Sequence, residues 1–120
     1  MENIFLEYPK CSTCQKAKKW LEINKIPFQN RHIIEKNPTE KELSCWIKKS
    51  GYDIRKWFNT SGLKYKSLNL KEKLPTMSEE DQIKLLASDG MLVKRPIFVS
   101  RDSILIGFKE EEWNLQLRKE

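Results

Sequence analysis

EYPKCSTCQKAKKWL, residues 7–21, sets two cysteines three apart, with Pro9 just before the first and a mixture of lysines and apolar residues after the second. A C-x-x-C is half of a zinc site, a redox pair, or a chance spacing of two inert thiols, and its flanks decide which. Upstream, IFLEY (4–8) is a short run of aromatic and branched residues, the composition of a buried strand. Pro9 and Lys10 make a turn. From Ser12 onward, Cys14, Ala17, Trp20 and Leu21 recur at helical spacing, with Lys16, Lys18 and Lys19 off that face. The order is strand, turn, cysteine, helix, with Cys11 at the helix start and Cys14 in the first turn.

That placement carries chemistry. The free backbone N–H groups of a first helical turn point at Cys11, and the helix dipole favours an anion there. Lys10 and Lys16 add positive field. Each effect lowers a thiol pKa and raises the thiolate fraction. Cys14, deeper on the helix, is placed to attack a mixed disulfide formed at Cys11. The zinc alternative is short of ligands. The chain has three cysteines, Cys11, Cys14 and Cys45, and one histidine, His32, in unrelated segments, whereas a structural zinc site takes four ligands. No metal is expected. A secreted disulfide scaffold would carry more cysteines, in even number. Cys45, beside Leu43, Trp46 and Ile47, reads as a packing residue, and His32 as structural.

At 120 residues the chain is long enough for one domain with a real core, and 38% hydrophobic with 33% charged residues fits a globular protein. The net charge of +6 is spread along the length and interleaved with glutamates, as in EKNPTEKELSCWIKKS, which reads as a solvated surface. With no RNA-binding signature and no basic tail, direct nucleic-acid binding is not expected. No apolar run approaches a membrane span, and MENIFLEYPK does not read as a secretory signal. The expected location is cytoplasmic, with no membrane partner.

Beyond the motif, FQNRHII (28–34) reads as a second strand. Thr39 to Glu42 form a capping box that opens a helix with Leu43, Trp46 and Ile47 on one face. GYDIRKWF reads as a short helix, and NTSGLKYKSLN breaks the pattern. Ser78 opens a helix through Ile83, Leu86 and Ala87 that Asp89-Gly90 stops. RPIFV and SILIGF, separated by SRDS, form a β-hairpin, and KEEEWNLQLRKE forms a last helix with acids first and bases last. Setting the middle aside leaves βαβ-ββα with C-x-x-C at the first βα turn, an α/β, thioredoxin-like arrangement. The expectation is a single domain over 1–120, with a helical insertion over about 38–88 packed on the same core.

Three stretches together, YPKCSTCQKAKKWLE, LASDGMLVKRPIFV and IGFKEEEW, resemble the arsenate reductase (ArsC) family in its thioredoxin-fold form, and within it the Spx/MgsR-related branch that carries C-x-x-C. The resemblance covers nearly the whole chain. It implies that Cys11 is the reactive cysteine, that Arg95 and Pro96 lie beside it, and that Pro96 is cis with its loop facing the cysteine. An always-charged, fork-shaped donor beside a thiolate lowers its pKa and can hold an oxyanion or a carboxylate. The implied catalytic residues are Cys11, Cys14 and Arg95. The implied substrate-binding residues are Lys10, Ser12, Thr13, Arg95 and Pro96. The glutaredoxin-dependent arsenate reductases use two further arginines, which in register fall at Asn59 and Phe108, and they need one thiol where this chain has two. Dithiol–disulfide chemistry is therefore better supported than arsenate reduction.

Two functions follow from the resemblance. One is a thiol–disulfide oxidoreductase acting on a small thiol or disulfide substrate or a redox partner protein. It would need no bound cofactor and would use an external reductant such as a thioredoxin, a glutaredoxin or a low-molecular-weight thiol. The other is a redox-sensing regulator of the Spx or MgsR kind that binds the RNA polymerase α-subunit.

Overall fold

A computed structural model describes residues 3–118, which divide into two compact units, one formed by residues 3–32 and 95–118 and the other by Ile33–Lys94. The first holds the C-x-x-C. Its four-stranded sheet has the order β2-β1-β3-β4, with β1 Ile4–Glu7, β2 Gln29–His32, β3 Ile97–Val99 and β4 Ile104–Ile106. β1 and β2 are parallel and are joined through helix α1, Ser12–Ile23; β3 and β4 form the expected antiparallel hairpin, and β3 pairs antiparallel with β1. Helix α6, Glu110–Leu117, closes the unit, and the order βαβ-ββα is the one expected for an α/β, thioredoxin-like chain.

Register explains the core. Phe5 lies opposite Phe98, and Phe98 opposite Leu105. Side chains alternate across a strand, so this line of residues shares one sheet face. It packs with Ala17, Trp20 and Leu21 of α1 and Trp113 of α6 in one buried cluster. All four predicted inward positions of α1, Cys14, Ala17, Trp20 and Leu21, are buried. The Trp113 ring centroid lies 5.6 Å from Phe98, 5.9 Å from Trp20 and 5.0 Å from Phe108. Its indole N–H donates to the Gly107 carbonyl at 3.1 Å, which satisfies the polar atom that Trp113 brings into this aromatic core.

Two expectations here need correction. The second strand is shorter than 28–34 because it pairs with β1, whose residues Ile4–Glu7 meet Gln29–His32; Phe28 instead packs against Phe5, and Ile33 belongs to the second unit. The last helix has its acids, Glu110, Glu111 and Glu112, in the first turn but no base in its last turn. It ends at Leu117 with Arg118 as its C-cap, and Lys119 lies outside the described residues.

The second unit contains helices α2, Glu40–Ser50, α3, Leu63–Ser67, α4, Leu70–Lys73, and α5, Glu79–Ser88. The predicted capping box is present at Thr39 and Glu42, with Gly51 closing α2 in the left-handed conformation, and Ser78 caps α5. The segment GYDIRKWF forms a single turn of 3₁₀ helix over Ile54–Trp57. The stretch NTSGLKYKSLN, expected to be irregular, contains α3. That helix buries no residue, and Leu63 at its start is 85% exposed, so there is no apolar periodicity to read. Gly90 has its α-carbon against the backbone of Ile33, where a Cβ would overlap the Ile33 carbonyl, so this position admits glycine alone.

Phe108 is the fold feature that bears most on function. It is half-buried and packs edge-on against Trp113 within the aromatic cluster. Phe108→Arg is expected to destabilise the protein by about 2 kcal/mol or more, because it removes ring packing and brings a cation to an apolar site. Denaturant unfolding of the variant measures this, and unchanged stability would show that the position is free to accept charge.

Candidate functional site

Cys11 is the N-cap of α1, in extended conformation, and its sulfur accepts the Cys14 backbone N–H at 3.4 Å. A sulfur here does the work usually given to a serine or aspartate oxygen. The turn before it is closed by the Cys11 N–H donating to the Tyr8 carbonyl at 2.9 Å. Cys11 is partly exposed, Cys14 is fully buried, and both are free thiols in this structure. Arg95 completes the group. Its guanidinium stands over the Tyr8 ring, 4.8 Å from the centroid, and its peptide bond to the buried Pro96 is cis. The Nε and Nη1 atoms of Arg95 are buried and make no hydrogen bond within the described residues.

The two thiols are driven apart. Partial burial works to raise the Cys11 pKa, but hydrogen bonds from the Cys14 thiol and N–H, together with a hydrogen bond and the positive charge of Arg95, outweigh it, and the Cys11 pKa is lowered. Burial pushes the Cys14 thiol up to about 12, helped by its hydrogen bond to Cys11 and the charge there, against the opposing pull of the Tyr8 backbone and Arg95. One thiolate and one retained proton are the arrangement of a nucleophile with a resolving partner. Lys10 and Lys16, expected to add positive field, are not among the causes; both are exposed, where water screens them.

Of the residues singled out from the sequence, Cys11, Cys14, Arg95 and Pro96 come together. Lys10, Ser12 and Thr13 lie beside Cys11 in the chain with exposed side chains. Cys45 is exposed on α2, which corrects its reading as a packing residue: the apolar face of that helix is Leu43, Trp46 and Ile47. His32 stands edge-on to Tyr8, with ring centroids 5.9 Å apart, and so borders the site. Among the described residues no group of three or more His, Cys, Asp or Glu side chains could hold a metal ion. No helix among them is long and apolar enough to cross a membrane.

Reasoning from the sequence missed Tyr8, Glu7 and Gln15. Tyr8 supports Arg95. Glu7, 3% exposed, accepts from Gln15 Nε2 at 3.3 Å and from Asn30 Nδ2 at 2.9 Å, with Lys18 Nζ 3.9 Å away. The strand period puts Glu7 on the inward face with Phe5, but a charged residue at a strand end reads as surface until its partners are known.

Known proteins resemble this chain over most of its length. The ArsC family model matches residues 6–115. The YusI protein of Bacillus subtilis is 52% identical over 113 residues, covering 94% of this chain and 96% of its own. The regulatory protein MgsR of Bacillus subtilis is 32% identical over 108 residues, covering 90% of this chain and 84% of its own. A solved ArsC family related protein from Bacteroides fragilis superposes with a TM-score of 0.93 at 57% identity, covering 96% of this chain and 97% of that one.

Arg95→Gln removes both the charge and a donor from the Cys11 sulfur, so the Cys11 pKa is expected to rise toward the ordinary thiol value of 9.0. A rise in pKa lowers the thiolate fraction near neutral pH. Alkylation of Cys11 should therefore slow several-fold near neutral pH and converge with wild type in strong alkali. Equal rates at neutral pH would remove Arg95 from the site.

Proposed function

The chain belongs to the ArsC family, and we propose that within it this protein is a thiol–disulfide redox protein whose working unit is the Cys11–Cys14 pair. The observation that carries this reading is the placement of the two thiols, Cys11 partly exposed at a helix cap beside a guanidinium and Cys14 fully buried a single turn away, which lowers the pKa of the first and raises that of the second.

The Cys11 thiolate attacks one sulfur of a substrate disulfide. The substrate S–S bond breaks, a Cys11–substrate mixed disulfide forms, and the departing thiolate takes a proton from solvent. The Cys11 sulfur then bears no charge, so its repulsion of a Cys14 thiolate ends while the attraction of Arg95 remains. That change eases loss of the Cys14 proton at the step where its thiolate is needed. Cys14 attacks the Cys11 sulfur, the second substrate thiolate leaves, and the substrate has gained the two electrons that the new Cys11–Cys14 disulfide has lost. Two small-molecule thiols, or the dithiol of a thioredoxin or a glutaredoxin, are oxidised to a disulfide as they return the pair to the reduced state, with no bound cofactor. The positive charge of Arg95 beside Cys11 suits a substrate with an acidic group near its sulfur. The reducing cytoplasm is the compartment in which such a cycle turns over.

Arsenate is a poor fit. An oxyanion held for thiol attack calls for several converging cations. Phe108 belongs to an apolar cluster, and Asn59 is uncharged.

A second reading, a redox-sensing regulator that binds the RNA polymerase α-subunit, draws on the likeness to MgsR. Here the same disulfide would change binding rather than reduce a substrate. Co-purification with the α-subunit by the oxidised or the reduced form alone would favour it.

The test of the enzymatic reading is Cys14→Ser given a small disulfide substrate. A mixed disulfide is expected to accumulate at Cys11, while wild type passes on to a Cys11–Cys14 bond with Cys45 free, both seen by mass spectrometry. Arsenate turnover by wild type with a full reductant system is expected at or near background. Trapping at Cys45 in place of Cys11, or efficient saturable arsenate turnover, would contradict the proposal.

A further inference from the structure

We infer that Glu7 and Gln15 are positioning residues for the reactive sulfur, a clamp that fixes the turn carrying Cys11 from the helix side; this rests on Cys11 being the reactive thiol.

Glu7 sits at the end of β1 on the inward face of the strand with Phe5, and is 3% exposed. A buried carboxylate is costly unless its oxygens are satisfied. Here both are, from two different elements: Gln15 of α1 donates to Oε1 and Asn30 of β2 to Oε2, and Lys18 of α1 lies 3.9 Å from Oε2. What this arrangement secures is the Gln15 amide. The same Nε2 that reaches Glu7 also donates to the Pro9 carbonyl at 2.9 Å.

The Tyr8–Cys11 turn is thereby held twice. From within, the Tyr8 carbonyl accepts the Cys11 N–H, and from the second turn of the helix, Gln15 takes the Pro9 carbonyl. Proline has no N–H and can be tied only through its carbonyl. With the turn fixed at both carbonyls, the Cys11 sulfur is held where the Cys14 N–H and the Arg95 guanidinium reach it. Releasing Gln15 lets the turn move, and both contacts lengthen. Two amide donors converge on this carboxylate, which offers an acceptor to each, whereas a glutamine in its place would offer one oxygen and one amide nitrogen.

Gln15 is exposed, so Gln15→Leu leaves the core intact. The experiment follows alkylation of Cys11 by iodoacetamide, site-resolved by mass spectrometry, from about pH 4 to about pH 10, with denaturant unfolding of each variant alongside. The Gln15→Leu profile is expected to shift to higher pH, with the rate near neutral pH down roughly threefold to tenfold and the unfolding midpoint little changed. Lys16→Ala, the exposed neighbour with no such link, should match wild type. Glu7→Gln should shift the profile the same way, and adding Gln15→Leu to it should bring little more, because both cut one chain of contacts. If Glu7→Gln fails to fold, the Gln15→Leu profile decides alone. A Gln15→Leu profile that superimposes on wild type overturns the inference. So does a shift of Glu7→Gln to lower pH, the direction expected if Glu7 acted only as a nearby negative charge. Wild type in which Cys11 is not the more reactive thiol would fail the redox reading itself, and the clamp with it.

Discussion

The site depends on one contact, the hydrogen bond from the Cys14 N–H to the Cys11 sulfur that caps α1. It makes the nucleophile part of the secondary structure. The sulfur ends the helix, takes the field of the helix N-terminus, and lies one turn from its partner, all through the same few atoms. The sheet supplies the rest of the geometry. β1 runs directly into the turn that carries Cys11, and β3, paired beside β1, begins just after the Arg95–Pro96 bond. Two segments more than eighty residues apart in sequence are brought together by strand pairing.

On that frame the two thiols are separated by environment rather than by identity. Cys11 stands partly open beside a cation, and Cys14 faces the core with no exposure. Arg95 contributes to both, and Tyr8 lies against its guanidinium. The stacking restricts a long side chain that would otherwise sample many rotamers, so less freedom is lost when it meets a sulfur or a substrate.

How much of this could be read from residues alone follows from the range of each signal. The helix after Ser12 was legible because Cys14, Ala17, Trp20 and Leu21 repeat at its period, and the capping box at Thr39 because it is a local code. The hairpin at Ile97–Val99 and Ile104–Ile106 was marked by two apolar runs around a polar turn. Helix α3 was illegible because it buries nothing and so leaves no pattern. At the site, the cysteines were visible through their spacing, and Arg95 and Pro96 only through the family resemblance. Glu7 was hidden for a different reason. A charged residue at a strand end looks like surface until its partners are known, and Gln15 and Asn30 come from two other elements. Phe108 shows the converse, since its neutrality could be read from the chain while the aromatic cluster that occupies its place could not.

The central claim is that one fold drives two neighbouring thiols to opposite sides of the ordinary value. Its most direct test is a pH titration of the reduced protein carrying ¹³C at the cysteine β-carbons, followed residue by residue by NMR. The account predicts that the Cys11 signal moves at a pH below 9.0, while Cys14 keeps its proton until about pH 12. Two signals that titrate together near the ordinary thiol value, or Cys14 titrating first, would contradict it.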